Sequence, residues 1–260
     1  MREAGPFVPG GADHLTVLAL MAGGVITLCA SRRRLQLTDD LLLRRGVAGF
    51  LLANEALAWI LAAVRGVIPP PAAWTNGPVS AAMQRMGPLG PAAGGGMIWL
   101  PLQLCDLTVL VTIWALWSAR PLVSELAYFW ALAGSLQAIL TPDLRYRFPE
   151  YWWVKFFLTH VGVVVSVVYL ALTGRVSATH RSVWRVWGWT NLYAAAAGGL
   201  NWIFGTNYGY LAHKPAQPSL LDYAGPWPYY VLVMEGLALA FLYLWYAPFV
   251  FVRRHITRTS

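Results

Sequence analysis

Charged residues are scarce in this sequence. Asp, Glu, Lys and Arg make up 12% of its 260 residues, whereas soluble domains contain about 25%. Hydrophobic residues reach 58%, and the mean hydropathy is +0.52. Because so few charges cannot cover a water-facing surface of this size, the composition excludes a soluble enzyme and a disordered chain. It also excludes a nucleic-acid binder, because the net charge of +8 is not gathered on a polar face. Basic cytoplasmic loops give membrane proteins the same excess.

Cysteine is scarce as well. The chain has two, Cys29 and Cys105, and both lie inside apolar runs. Two are too few for a disulfide framework. No spacing of cysteine and histidine resembles a metal site, so we predict neither a metal ion nor a cofactor. The Pro- and Gly-rich segment 1–11 lacks the pattern of a signal peptide.

Apolar runs of membrane-crossing length are abundant. A membrane helix needs about 20 mainly apolar residues, and the sequence predicts seven such helices in one all-α, polytopic membrane domain over residues 1–260. The predicted helices are Leu15–Ala30, Gly46–Ile68, Met97–Ser118, Leu122–Leu140, Tyr151–Thr173, Trp184–Phe204 and Trp227–Val252. Between the second and third, residues 69–96 are rich in proline and glycine, which prevent a long helix. This segment is predicted to form an external loop or lid.

The distribution of basic residues predicts the orientation of the helices. The side formed by the first, third and fifth loops and the C-terminal tail has twelve Lys and Arg residues, and the other side has seven. The clusters Arg32–Arg34 and Arg253–Arg254 dominate this difference. Because basic loops face the cytoplasm, the N-terminus is predicted outside and the C-terminus inside.

Polar side chains within the predicted helices are the candidates for function, because such groups are costly at membrane depth. Most are predicted to lie in the outer half of the bilayer, and the inner half has nearly none. The set consists of Asn54, Glu55, Gln103, Cys105, Asp106, Gln137, His160, Asn191, Asn201 and Glu235.

Cys105 and His160 form the candidate pair for chemistry. Helices that enter from outside at Met97 and Tyr151 would place both about 12–13 Å deep. An imidazole can take the proton of a thiol and return it to a leaving alcohol, and we expect the sulfur and a ring nitrogen within about 4–6 Å. The alternatives are structural: a cysteine in an apolar helix acts as a small hydrophobic residue, and a lone histidine can bridge two helices.

The other polar residues have two interpretations each. Glu55 and Glu235 fit proton-relay carboxylates, but a pairing with Asn54, Asn201 or a backbone group in the bundle is favoured. Asp106 points about 100° away from Cys105 and is expected either to orient a neighbouring group or to accept a hydrogen bond from a helix on the other side. The segment 205–210 is a turn by composition, and its groups fit either oxyanion donors or an ordinary outer turn. The predicted supporting set is Gln103, Asp106, Gln137, Asn201, Asn207, Tyr208 and Glu235.

Short motifs occur in series between Leu100 and Pro248. They are Leu100-Pro101-Leu102-Gln103-Leu104-Cys105-Asp106, Glu125-Leu126-Ala127-Tyr128-Phe129-Trp130, Leu140-Thr141-Pro142-Asp143, Phe156-Phe157-Leu158-Thr159-His160-Val161-Gly162, Asn201-Trp202-Ile203-Phe204-Gly205-Thr206-Asn207-Tyr208-Gly209, Pro218-Ser219-Leu220-Leu221-Asp222 and Gly225-Pro226-Trp227-Pro228. In this order they resemble the bacterial YwaF-like integral membrane proteins, which are grouped with the eukaryotic transmembrane protein 164 family.

The resemblance implies a cysteine-dependent acyltransferase that moves a fatty acyl chain between phospholipids. The catalytic cysteine of the eukaryotic relatives lies in a Pro-Leu-x-Leu-Cys-Asp motif, which corresponds to Cys105. Their catalytic histidine lies in a Phe-Phe-x-x-His motif, which corresponds to His160. The resemblance also implies a multi-pass protein of a bacterial plasma membrane whose partners are membrane phospholipids and lysolipids.

Three functions follow as hypotheses. The leading one is an intramembrane lipid acyltransferase that works through a thioester on Cys105, or a lipid esterase if water intercepts the thioester. The rival is a transporter or sensor that binds a small solute or a proton at Glu55, Glu235 and His160. The third is a structural subunit of a larger complex. Labelling of Cys105 that depends on His160 would distinguish the first from the others.

Overall fold

The structure is a computed structural model that describes residues 7–37, 39–65, 101–144, 146–204, 206–215 and 219–259. Within these ranges the chain is helical and contains no strand, which confirms the predicted all-α class. The predicted external loop 69–96 lies outside the described residues.

Seven long helical segments occur in the described ranges, at the places that hydropathy predicts. They are α1 (Ala12–Leu37), α2 (Leu41–Arg65), α3 (Leu104–Ser118), α4 (Pro121–Leu140), α5 (Tyr151–Leu172), α6 (His180–Phe204) and α7 (Tyr229–Thr259). Local sequence explains several ends. Proline occupies the first position of α4, where its missing N–H has no helical partner to lose. Ala119, with φ of 49°, ends α3 in the left-handed conformation.

Four helices are long and apolar enough to cross a membrane: α1, α4, α5 and α7. The shorter α3 has 15 residues and is also apolar. The chain is therefore an all-helical membrane protein, while seven crossings and their orientation stay predictions.

Helix α4 forms the centre of the bundle. In its most apolar window 67% of the residues are buried inside the protein, against 6% for α1 and 11% for α7. It packs against α3, α5 and α6, and its middle turn, Ala131–Ser135, is a π-helix that also contacts α7. Since α1 and α7 bury so little against other helices, their apolar faces point outward to the lipid.

A cluster of ionised groups connects several helices at one end of the bundle. Asp40, between α1 and α2, is buried and accepts hydrogen bonds from Arg44, at 3.1 Å, from Arg175, at 2.7 Å, and from the hydroxyl of Tyr169. Arg44 also donates to the carbonyl of Leu116, at 2.7 Å. Burial raises the pKa of Asp40, but the hydrogen bonds and the two positive charges outweigh it and hold the pKa below its usual value.

The same end contains a second ion pair, between Glu125 and Arg185. The expectation that this half of the protein has almost no polar groups is therefore wrong. Arg44, Arg175 and Arg185 entered the sequence analysis only in the count of basic residues that predicts the orientation, yet each neutralises a buried carboxylate. Sequence spacing gives no sign of these partners, since Asp40 and Arg175 are far apart in the chain.

Candidate functional site

Cys105 lies in the first turn of α3. Gln103 precedes the helix in an extended conformation, with φ of −64° and ψ of 145°, and the helix begins at Leu104. The prediction that this helix extends outward through residues 101–103 is therefore wrong, and Cys105 is the second residue of the helix rather than about two turns inside it. The position places its thiol beside backbone N–H groups that have no helical partner, and such groups stabilise negative charge.

Lys155 and Glu55 form an ion pair beside this turn. Their Nζ and Oε2 atoms are 3.0 Å apart, and their side chains are only 17% and 12% exposed. The hydroxyl of Thr159 donates to Glu55 Oε1, at 3.0 Å, and accepts from Asn54 Nδ2, at 2.8 Å. Sequence reasoning favoured Asn54, Asn201 or a backbone group as the partner of Glu55, and Lys155 entered it only in the count of basic residues that predicts the orientation. The ion pair gives Lys155 a place in the site instead.

Both charges of this ion pair lie within electrostatic range of Cys105 and of Asp106. Lys155 is also within electrostatic range of His160. We call these five residues, Glu55, Cys105, Asp106, Lys155 and His160, the Cys105 cluster. They come from α2, α3 and α5, and each pair of these three helices is packed together.

His160 is 7% exposed and has a defined tautomer when neutral. Its Nδ1 donates to the carbonyl of Phe156, at 2.7 Å, because a carbonyl can only accept. The lone pair of the neutral ring is therefore on Nε2, which is the atom available to take a proton. The Phe156 ring packs against the imidazole, with centroids 4.2 Å apart. The expected 4–6 Å separation between His160 and Cys105 stays a prediction.

Two buried polar atoms near the cluster have no hydrogen-bond partner among the described residues. They are Oδ2 of Asp106 and the hydroxyl oxygen of Tyr151. Tyr151, the first residue of α5, lies within electrostatic range of both Lys155 and Glu55. Buried polar groups are almost always paired with protein or water, so these two atoms are exceptions to that rule, and both lie near the ion pair between Glu55 and Lys155.

The turn after α6 is held by two asparagine side chains. Asn201 Nδ2 donates to the carbonyl of Tyr208, at 2.9 Å, and its Oδ1 accepts from the Thr206 hydroxyl, at 2.8 Å, and the Tyr208 amide, at 2.7 Å. Asn207 does the same further along the turn. Its Oδ1 accepts from the amides of Ala212 and His213, and its Nδ2 donates to the carbonyl of His213. Asn201 and Asn207, two members of the predicted supporting set, thus stabilise the turn itself.

Gln103 connects this turn to the start of α3. Its Oε1 accepts from the amide of Gly209, at 2.9 Å, and its Nε2 donates to the carbonyl of Asn207, at 3.4 Å. The Tyr193 hydroxyl donates to the carbonyl of Leu102, at 3.0 Å. A Cβ on Gly209, which has φ of +66°, would lie 3.0 Å from that hydroxyl oxygen, so the close approach requires glycine.

Tyr193 and Tyr210 both lie within electrostatic range of Cys105. Tyr210 donates to Asp143 Oδ2, at 3.0 Å, and its carbonyl accepts from the Tyr230 hydroxyl, at 2.7 Å. Burial and the charge of Asp143 raise the pKa of Tyr210, so its hydroxyl stays a donor at neutral pH. Tyr210 belongs to the segment 205–210 that the sequence predicts as a turn. Sequence reasoning missed Tyr193, because nothing in its local pattern indicates the direction of its side chain.

The remaining predicted supporting residues have contacts of other kinds. Glu235 on α7 accepts from Asn191 Nδ2, at 3.2 Å, an asparagine other than the predicted partners Asn54 and Asn201. Gln137 lies in the last turn of α4, where its carbonyl accepts from Thr141. The described residues contain no group of three His, Cys, Asp or Glu side chains placed to share a metal ion.

These features define the class: an all-helical membrane protein with a partly buried thiol near a buried ion pair. The model of the TMEM164 family matches residues 97–246, which is more than half of the chain and includes Cys105, Lys155, His160 and the turn after α6. The chain belongs to the TMEM164 family. No curated protein and no solved structure matches it.

Proposed function

We propose that this protein is an intramembrane lipid acyltransferase with Cys105 as nucleophile. The thiol gives its proton to His160 Nε2 while Sγ attacks the carbonyl carbon of a phospholipid ester. A C–S bond forms, the ester C–O bond breaks, and His160 returns the proton to the leaving lysolipid oxygen. In the second half an acceptor lysolipid gives its hydroxyl proton to His160 and attacks the thioester, which restores the thiol.

The observation that carries this proposal is the position of Cys105 in the first turn of α3, within electrostatic range of Lys155. A thiol is reactive as its thiolate, and cations and helix N-termini favour the thiolate. Burial favours the neutral thiol instead, so the role we assign to Lys155 is to stabilise the thiolate against the effect of burial. Glu55 holds Lys155 in place through the 3.0 Å ion pair.

The oxyanion of the tetrahedral intermediate needs N–H donors in this proposal. Asn201 and Asn207 hold the turn, so we assign them a positioning role together with Gln103 and Tyr208. The amides of Cys105 and Asp106, the second and third residues of α3, have no partner within the helix. These amides are the proposed donors; one such donor contributes about 3–4 kcal/mol in soluble hydrolases.

The proposal includes seven membrane crossings with the N-terminus outside and the C-terminus inside, in a plasma membrane. The start of α3, the start of α5 and the turn after α6 lie at the same end of the bundle, since Gln103 bonds that turn and Lys155 is near Cys105. In this orientation the site faces the outer leaflet, where phospholipids and lysolipids would enter.

A second candidate is a transporter or sensor that binds a proton or small solute. The ion pair between Glu55 and Lys155 favours it, because ionisable groups inside a membrane bundle often form proton or ion pathways. In that case Cys105 is a packing residue, and its removal leaves the function intact.

Lipid mass spectrometry on membranes with equal amounts of each variant separates the two functions. Wild-type protein is expected to exchange acyl chains between an isotope-labelled phospholipid and an added lysolipid. Cys105→Ala and Cys105→Ser abolish the exchange, and His160→Ala slows the acylation half-reaction. Cys29→Ala is the matched control and retains wild-type exchange. Full exchange by Cys105→Ala would overturn the acyltransferase and favour the second candidate.

A further inference from the structure

A large apolar cavity lies at the end of the bundle opposite Cys105. It has a volume of about 810 Å³ and is bounded by α1, α4, α5 and α7. Its wall includes Leu172, at the end of α5, whereas Lys155 of the Cys105 cluster lies near the start of the same helix. The acyl-transfer chemistry makes no use of this cavity.

Two departures from regular helix geometry border the cavity. Leu132 belongs to the π-helical turn of α4, and Pro248 interrupts the hydrogen bonding of α7. A π-turn is rare and occurs mostly at functional sites, and a proline inside a helix bends it. Both irregular helix segments line the same cavity, which favours a functional cavity over a packing defect.

The chemistry of the wall fits a hydrocarbon chain. Most of the wall is aliphatic or aromatic, and the hydroxyl of Tyr128 is engaged by the carbonyl of Trp245, at 3.0 Å. A cavity with such a wall offers water few partners, so an apolar occupant is favoured. Access comes from the bilayer, because Ile26 of α1 is 67% exposed and α1 is hardly buried by other helices.

A positive charge marks one end of the cavity. Arg253 of α7 lines it, is exposed, and donates through Nη2 to the carbonyl of Ala178, at 2.5 Å. This bond fixes the guanidinium beside the apolar space. A guanidinium pairs well with a phosphate group, often through two parallel hydrogen bonds.

We propose that this cavity binds one acyl chain of an anionic phospholipid whose phosphate contacts Arg253. The site is separate from Cys105 and does not depend on acyl transfer. Phosphatidylglycerol supplies both the chain and the net negative charge, whereas zwitterionic phosphatidylcholine has the same chain without the net charge.

Native mass spectrometry of the full chain, released from nanodiscs of either lipid, tests the proposal. One phosphatidylglycerol is expected to remain bound in preference to phosphatidylcholine. Arg253→Ala lowers this preference about tenfold, and the matched control Arg254→Ala leaves it unchanged. Ala22→Phe places an aromatic ring in the cavity and lowers retention of both lipids, whereas Ala19→Phe, also exposed on α1 but outside the cavity, retains them.

A second readout uses Cys29, whose side chain lines the cavity. In Cys105→Ala protein it is the single thiol, since the chain has two cysteines. Phosphatidylglycerol is expected to slow its reaction with a small maleimide, more than phosphatidylcholine does. The proposal would be overturned if Ala22→Phe and Ala19→Phe retained lipid equally, or if Arg253→Ala and Arg254→Ala changed the lipid preference equally. It would also be overturned if neither lipid changed the reaction rate of Cys29.

Discussion

Replacement of Lys155 by methionine removes the one lysine of the Cys105 cluster and keeps the length of the side chain. The ion pair it forms with Glu55 has an N–O distance of 3.0 Å. Coulomb's law with an effective dielectric constant of about 20 gives an attraction of about 5–6 kcal/mol at that distance, which desolvation of both groups offsets in part. Loss of one partner leaves a buried carboxylate, so Lys155→Met is expected to destabilise the protein by about 3 kcal/mol.

A double variant separates the structural role of Lys155 from its role in the reaction. Glu55→Gln keeps an oxygen to accept from Thr159 and removes the unpaired charge, so Glu55→Gln with Lys155→Met is expected to recover most of the lost stability. The double variant still lacks the cation beside Cys105 and is therefore expected to have no acyl exchange.

The assay combines thermal unfolding in mixed micelles with lipid mass spectrometry on the same preparations. Full recovery of both stability and acyl exchange in the double variant would show that Lys155 is only a counter-ion of Glu55 and takes no part in the reaction. Unchanged stability in Lys155→Met would refute the structural half of the argument.

Two further predictions concern the turn after α6 and the Asp40 cluster. Gly209→Ala adds a Cβ 3.0 Å from the Tyr193 hydroxyl oxygen at a residue with φ of +66°, and this variant is expected to lower acyl exchange. The control is Gly174→Ala, whose φ is +76° but whose surroundings are open, so it has only the backbone cost of about 1 kcal/mol. Equal acyl exchange by the two variants would contradict this prediction. The folded pKa of Asp40 is below its usual value, so its stabilisation is full above about pH 4 and is lost as the pH falls through the folded pKa. Thermal unfolding of Asp40→Asn between pH 3 and pH 7 is therefore expected to depend less on pH in the acid range than wild type, and identical pH profiles would contradict the assignment.

Hydropathy predicts the helices of this protein well because membrane helices are continuous apolar runs. The fifth is predicted at Tyr151–Thr173 and observed at Tyr151–Leu172. The start of α3 is predicted less well, because the apolar run includes residues 101–103 and hydropathy does not separate them from the helix that follows. Only the extended conformation of Gln103 shows that Cys105 lies in the first turn of the helix rather than about two turns inside it.

Cys105 and His160 can be selected as candidates from the sequence because few polar residues occur in the apolar runs. Their surroundings cannot be predicted in this way, since they depend on pairs of residues far apart in the chain. Glu55 meets Lys155 across about 100 positions, and Gln103 meets Gly209 across a similar distance. One signal for Lys155 exists in the sequence: it lies inside a predicted helix, one turn before Thr159 and close to His160, rather than in a loop.

The central claim is that Cys105 accepts an acyl group, and direct detection of the thioester tests it. Purified protein would be incubated with a phospholipid whose acyl chain ends in an alkyne, quenched in acid and digested, and the labelled peptide identified by mass spectrometry. We expect one hydroxylamine-sensitive acyl group on Cys105, retained in Cys29→Ala and absent in Cys105→Ala. An acyl group on Cys29, or equal labelling of the Cys105→Ala variant, would contradict it.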